Sequence, residues 1–182
     1  DLAGIPLEAG DRGGSDPIVL GGGSAVTNPE PMAIFFDLVA IGEGEELLPH
    51  LLDTYARFDR SGCGWRELFL AHCAENIPGI YVPSLYRPRY KNRRFHGYDR
   101  LSPAAPEQVE RQFVDLDTFA APSKPVVPTT EVVHDRVAIE LDRGCARACR
   151  FCQAGYLYRP VRRRSAEGVK SAVDQCLSTT GQ

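Results

Sequence analysis

Several things are scarce in this sequence. Its 182 residues include one methionine (Met32), one tryptophan and only four histidines. No apolar run approaches the roughly 20 residues that cross a bilayer. No charged-then-apolar opening resembles a signal peptide. A membrane partner is therefore not expected. The expected compartment is the cytoplasm, where disulfides are rare and clustered thiols more often bind metal. The net charge of −3 is too small to argue for nucleic acid from the chain as a whole. There is no low-complexity tract and no internal repeat of the kind that marks solenoids. The first residue is Asp1 and the last residues read "CLSTTGQ". The expectation is a piece of a longer protein, inactive by itself.

What is present is ordinary in bulk. A composition 43% hydrophobic and 25% charged suits a globular chain of one domain or two small ones. "PIVLGGG" (17–23) and "DLVAIGEGEE" (37–46) each read as an apolar strand ending in glycines. The segment "SAVTNPEPMAIFF" between them predicts a turn and a weak helix. A helix should begin near Glu45, with Leu47, Leu48, Leu51, Leu52 and Tyr55 on one face. "GWRELFLAHCAEN" (64–76) predicts a second. Strand, glycine turn and helix in series point to a parallel α/β sheet, whose ligands gather at the glycine turns.

From residue 79 the character changes. "GIYVPSLYRPRYKNRRFHGYDRL" carries strand-favouring aromatics, with prolines that suit irregular or edge pairing. "RPRYKNRRFHGYDR" (87–100) interleaves aromatic and basic residues, which suits either a solvated hairpin or nucleic acid. "QVERQFVDLD" (108–117) could add a strand. "TFAAPSKPVVPTT" (118–130) reads as a semi-rigid linker. "RVAIELDRGC" (136–145) predicts a strand with Val137, Ile139 and Leu141 on one face. A final helix should be capped by Ser165, with Val169, Ala172, Val173, Cys176 and Leu177 as its buried stripe.

Between that strand and that helix stands "DRGCARACRFCQAGYLYRPVRRRS". Cys145, Cys149 and Cys152 fall in the spacing C-x3-C-x2-C. No fourth ligand is evident. His134 lies at the far end of the expected strand, and Cys176 lies on the helix stripe. Cubane iron–sulfur clusters ordinarily take four cysteines, and structural zinc closes all four positions. Three thiolates would leave one iron open for chemistry. Alternatives are a zinc site completed by another chain, or thiols with no ligand. Seven arginines (143, 147, 150, 159, 162, 163 and 164) flank the motif. They read as an electropositive rim for an anionic cluster or substrate, or as a solvated surface. Cys63, Cys73 and Cys176 read as small apolar helix residues.

The motif, with Phe151 before its last cysteine, resembles the signature of the radical S-adenosylmethionine (radical SAM) superfamily. The longer string is similar to the branch with an N-terminal cobalamin-binding-like domain, whose glycine turns "GGGSAVTNPEP" and "AIGEGEELLP" resemble. The resemblance implies an α/β fold in three parts. Residues 1–78 would be part of a Rossmann-like cobalamin-binding-type domain. Residues 79–130 would be a β-rich connector and proline-rich linker. Residues 131–182 would begin a TIM-like (βα)6 barrel carrying the cluster loop. It implies that Cys145, Cys149 and Cys152 ligate a [4Fe–4S] cluster, that the open iron chelates SAM, and that Phe151 lies near its adenine. The chemistry implied is reductive cleavage of SAM to a 5′-deoxyadenosyl radical, fed by flavodoxin or ferredoxin. The substrate is unassigned, RNA or a small molecule. Cobalamin would fall to Gly21, Gly22, Gly23, Gly42 and Gly44, although no histidine sits in a D-x-H-x-x-G setting. The alternative function is a non-catalytic zinc- or nucleic-acid-binding module.

Overall fold

The computed structural model describes residues 2–180 apart from 120, 121, 123, 127, 131, 132, 134 and 135. His134 and parts of the expected linker thus lie outside the described residues. The chain divides into two compact units, Asp1–Phe113 and Val114–Gln182.

The first unit is built on a three-stranded sheet. Strands β1 (Leu20–Gly21) and β2 (Leu38–Ala40) run parallel, and β3 (Ile80–Tyr81) pairs antiparallel to β2. The parallel pairing expected of the first two strands forms between β1 and β2, and β3, from the segment read as connector, adds an antiparallel edge. After residue 76 the chain returns along β2 in the opposite direction. Helix α1 (Gly44–Arg57) starts where the second glycine turn predicts, and α2 spans Trp65–Asn76. The segment between β1 and β2 contains two short 3-10 turns, Ser24–Thr27 and Glu30–Phe35, rather than an α-helix. Prolines 29 and 31 there remove backbone donors.

The two helices close over the sheet. Leu38, Leu47, Leu51, Phe69, Cys73, Ile77, Ile80 and Val82 are all buried. Phe69 is ringed by Tyr55 and Phe58, each with its centroid 5.3 Å away in edge contact. Such contacts add to the area each ring buries. Leu48 and Leu52 belong to the predicted apolar face of α1 but remain exposed, along an open apolar groove with Ile18 and Leu20. Cys63 is not helical as expected. It lies exposed in the turn before α2.

A buried ionic clasp ties the N-terminal loop to this core. Asp37 precedes β2, and its Oδ2 accepts from Arg12 Nη1 (2.9 Å), Arg66 Nη2 (2.8 Å) and the Val19 amide (2.7 Å). All three side chains are buried. Arg12 also donates to the carbonyls of Pro6, Leu7 and Phe35. Arg66 donates to those of Gly13, Asp16 and Pro17.

Next comes a β-hairpin of β4 (Tyr86–Lys91) and β5 (Arg94–Arg100). Its two-residue turn has Asn92 at φ 51° and Arg93 at φ 61°, the left-handed pair that matches strand twist in tight hairpins. Pro88 opposes Tyr98, and Tyr90 opposes Phe95. One residue of β4 (Arg89) therefore faces two of β5 (His96 and Gly97), which is a β-bulge. Tyr81 packs against Tyr86 at the hairpin base and donates a 2.5 Å hydrogen bond to Glu30. The expected strand over 108–117 is reduced to one bridge, Gly42 to Gln112.

In the second unit, the strand expected over 136–145 contracts to β6 (Asp142–Arg143). It pairs antiparallel with β7 (Arg162–Arg163) rather than opening a parallel barrel. A parallel strand buried on both faces needs neighbours. Among the described residues this segment has β7 alone, and Leu141 is left exposed. Helices α3 (Ala154–Leu157) and α4 (Ala166–Thr180) follow. Ser165 caps α4 as predicted, its Oγ accepting from the Gly168 amide at 3.0 Å. Ala172 and Cys176 are the buried positions of its stripe, while Leu177 is exposed.

Removing the shared carboxylate should leave two buried guanidiniums facing each other. Asp37→Ala is expected to lose about 3–5 kcal/mol in urea denaturation; a loss below about 1 kcal/mol would contradict the clasp.

The tyrosines give a pH test. Burial, and then Glu30, raise the Tyr81 hydroxyl above its ordinary value and push Tyr98 up to about 12. The folded state therefore favours the neutral phenols. Their contribution is full below the unfolded value of about 10 and is lost as pH rises through the folded values. The urea midpoint should fall above about pH 10, and fall less in Tyr81→Phe/Tyr98→Phe. A wild-type midpoint that stays level, or an equal fall in the variant, would overturn the assignment.

Candidate metal centre

Residues 144–161 form a loop whose ends are joined by the β6–β7 pairing. Gly144 opens it at φ 101°, where an added Cβ would strike the carbonyl oxygens of Tyr158 and Pro160. The return strand thus passes too close for any side chain at that position. Gly155, in α3, is buried and faces the Arg147 carbonyl in the same way. The Arg147 amide donates to Cys145 Sγ at 3.4 Å, and the Cys152 amide donates to the Cys149 carbonyl at 3.1 Å.

Arginines anchor the frame of the loop. Arg162 donates to the Val114 carbonyl, and Arg164 donates to the carbonyls of Leu116 and Phe119. Arg143 forms a two-pronged pair with Glu140, both contacts at 2.9 Å. Asp117 accepts from the Ser165 amide. Part of the expected electropositive rim therefore holds the backbone of this unit. Arg147 and Arg150, between the cysteines, are exposed. Arg159 lies over the Tyr156 ring.

All three loop cysteines are free thiols; Cys149 is exposed, and Cys145 and Cys152 are half-buried. Among the described residues, no three Cys, His, Asp or Glu side chains are gathered closely enough to hold a metal ion. The donor set suits an iron–sulfur cluster in kind, because thiolates are its usual ligands. The loop ends are pinned, while the thiols between them do not meet at one centre. Phe151 is 92% exposed. Cys73, by contrast, lies in the core of the first unit, where burial pushes its thiol up to about 12; it is a packing residue.

The glycine turns have local explanations. Gly42 sits at φ 125°, and a Cβ there would collide with the backbone of Gln112 across the β-bridge. A Cβ on Gly21 would press on the Phe36 ring at 3.1 Å. Gly23 precedes the first 3-10 turn. Gly22 and Gly44 have open space around them, so packing does not require glycine at either position. Sequence reasoning missed the Asp37 clasp altogether. A lone acid heading an apolar strand was the available signal, but its partners are distant in sequence.

Residues 1–83 match a family model described as "Radical SAM proteins, N-terminal". No curated protein and no solved structure matches the chain. The family match covers somewhat less than half of the chain and ends before the cysteine loop. It supports a relationship to radical SAM proteins through residues that include none of the loop thiols.

Proposed function

We propose that this chain is part of a radical SAM enzyme, with Cys145, Cys149 and Cys152 as ligands of a [4Fe–4S] cluster. The observation that carries the reading is the C-x3-C-x2-C loop in the same chain as a non-overlapping match to the N-terminal family of radical SAM proteins. A bound cluster of this type supplies one electron to SAM. The chain's own residues would hold that cluster and shape its surroundings. Gly144 and the arginine-anchored backbone fix the two ends of the loop. Arg147 and Arg150 bring positive charge beside the anionic centre. The exposed ring of Phe151 is open to a bound nucleoside. Gly22, Gly23 and Gly44 are the glycines whose surroundings leave room for a cobalamin contact. The compartment proposed is the cytoplasm, and the electron donor a flavodoxin or ferredoxin.

A zinc-binding module is the competing reading, since three thiols can also serve zinc. Anaerobic reconstitution with iron and sulfide separates the two. The expected product is brown and contains iron and sulfide, and Cys145→Ala/Cys149→Ala/Cys152→Ala abolishes both. Stoichiometric zinc without sulfide, or full cluster content in the triple variant, would overturn the assignment.

A further inference from the structure

The β4–β5 hairpin carries more than its packing requires. On its inner side, ring follows ring: Tyr81 to Tyr86 (5.0 Å between centroids), Tyr86 to Tyr98 (5.9 Å), Tyr98 to Phe95 (4.9 Å) and Phe95 to Tyr90 (6.0 Å). Strand alternation alone would place Phe95 and Tyr98 on opposite faces, because they are three residues apart. The bulge at His96–Gly97 brings them to one face and makes the row continuous. The base of the row is core, with Tyr81 buried. Exposure then rises outward, to 37% at Tyr98, 51% at Phe95 and 61% at Tyr90. A hairpin that only had to pack could end its aromatic row at Tyr98.

Charge accompanies the rings. Arg87, Arg89, Lys91, Arg93, Arg94 and Arg100 face a single acid, Asp99, between residues 86 and 100, in a chain of net charge −3. Asp99 pairs with Arg89 at 3.1 Å, and Arg100 is held by the Ala105 carbonyl. Among the described residues, the side chains of Arg87, Lys91, Arg93 and Arg94 form no ion pair. At the tip, Lys91, Asn92, Arg94 and His96 line a cleft of about 480 Å³ that contains no acid.

We infer that this hairpin is a binding surface for single-stranded nucleic acid. Bases would stack on Tyr98, Phe95 and Tyr90, and phosphates would meet the cations at the tip. Strand alternation sets the Lys91–Arg94 pair on the face opposite the Tyr90–Phe95 pair, so a strand stacked on the rings would reach the cations by passing round the tip. Exposed rings in series on a hairpin with backbone-seeking cations at its tip suit single strands, because every base has a stackable face. A duplex would use the cations but has no unstacked base for the rings. This inference concerns residues outside the cysteine loop and holds whether or not a cluster binds.

The test uses the whole chain without iron. Fluorescence anisotropy with labelled oligouridylate and oligothymidylate should show binding that weakens with salt. Binding of either strand supports the surface, and the preferred strand identifies RNA or DNA as its source. Tyr90→Ala/Phe95→Ala should weaken binding about tenfold or more and leave the salt slope unchanged. Lys91→Gln/Arg94→Gln should reduce the slope of log K against log salt by about 1.4. Tyr90→Phe should bind as wild type, and circular dichroism checks that each variant is folded. If the double aromatic variant does not fold, Tyr90→Leu replaces it and should also weaken binding. The inference is overturned if neither strand binds, or if a duplex, a polyglutamate or an anionic vesicle binds as well as the single strands. It is also overturned if folded variants lacking the rings bind undiminished.

Discussion

The first unit depends on one carboxylate. Asp37 stands between Arg12 and Arg66 at the head of the central strand, and each guanidinium also carries carbonyls of the N-terminal loop. Two cations sharing one anion in a dry site would be costly alone. Backbone carbonyls supply the remaining acceptors, as a buried ion pair requires. The arrangement is nearly complete: among the described residues, Arg66 Nε is the one buried side-chain atom without a partner. The loop of residues 6–17 has little apolar content of its own, and this clasp gives it a fixed course. With β2 fixed at its start, β1 and β3 have a strand to pair with, and α1 and α2 have a sheet to cover.

The second unit uses arginines for the same purpose. Arg162 and Arg164 bind carbonyls of residues 114–119, and Asp117 receives the first amide of the α4 cap. A guanidinium has five donors in a rigid fork, so one side chain can secure several carbonyls. The cysteine loop is consequently firm at its ends. Of the seven arginines around it, those at 162 and 164 are committed to the backbone, and those at 147 and 150 are set among the thiols.

The three long helices were legible in the sequence because their signals are local; the short α3 was not. The start of α1 after the glycine turn, the span of α2 and the Ser165 cap follow from periodicity and end residues. The strands were less legible because pairing is not local. "RVAIELDRGC" alternates as a strand should, yet only Asp142–Arg143 finds a partner. The apolar face of α1 was right in period and too wide in extent, since Leu48 and Leu52 stay exposed. "RPRYKNRRFHGYDR" showed its composition plainly. The continuous ring row depends on a bulge that no count of alternating residues reveals. For the candidate site, the thiols, their spacing and Phe151 were readable directly. The close approaches that demand glycine at 42 and 144 belong to the folded backbone alone.

Two features converge on one chemistry from opposite ends of the chain: the family match over residues 1–83 and the three thiols after residue 144. The central claim is that these thiols make a cluster with one iron left open. Mössbauer spectroscopy of the chain reconstituted with isotopically enriched iron and sulfide tests it most directly. A cubane cluster with one iron distinguishable from the other three is expected. Four equivalent irons, or no cluster, would contradict it.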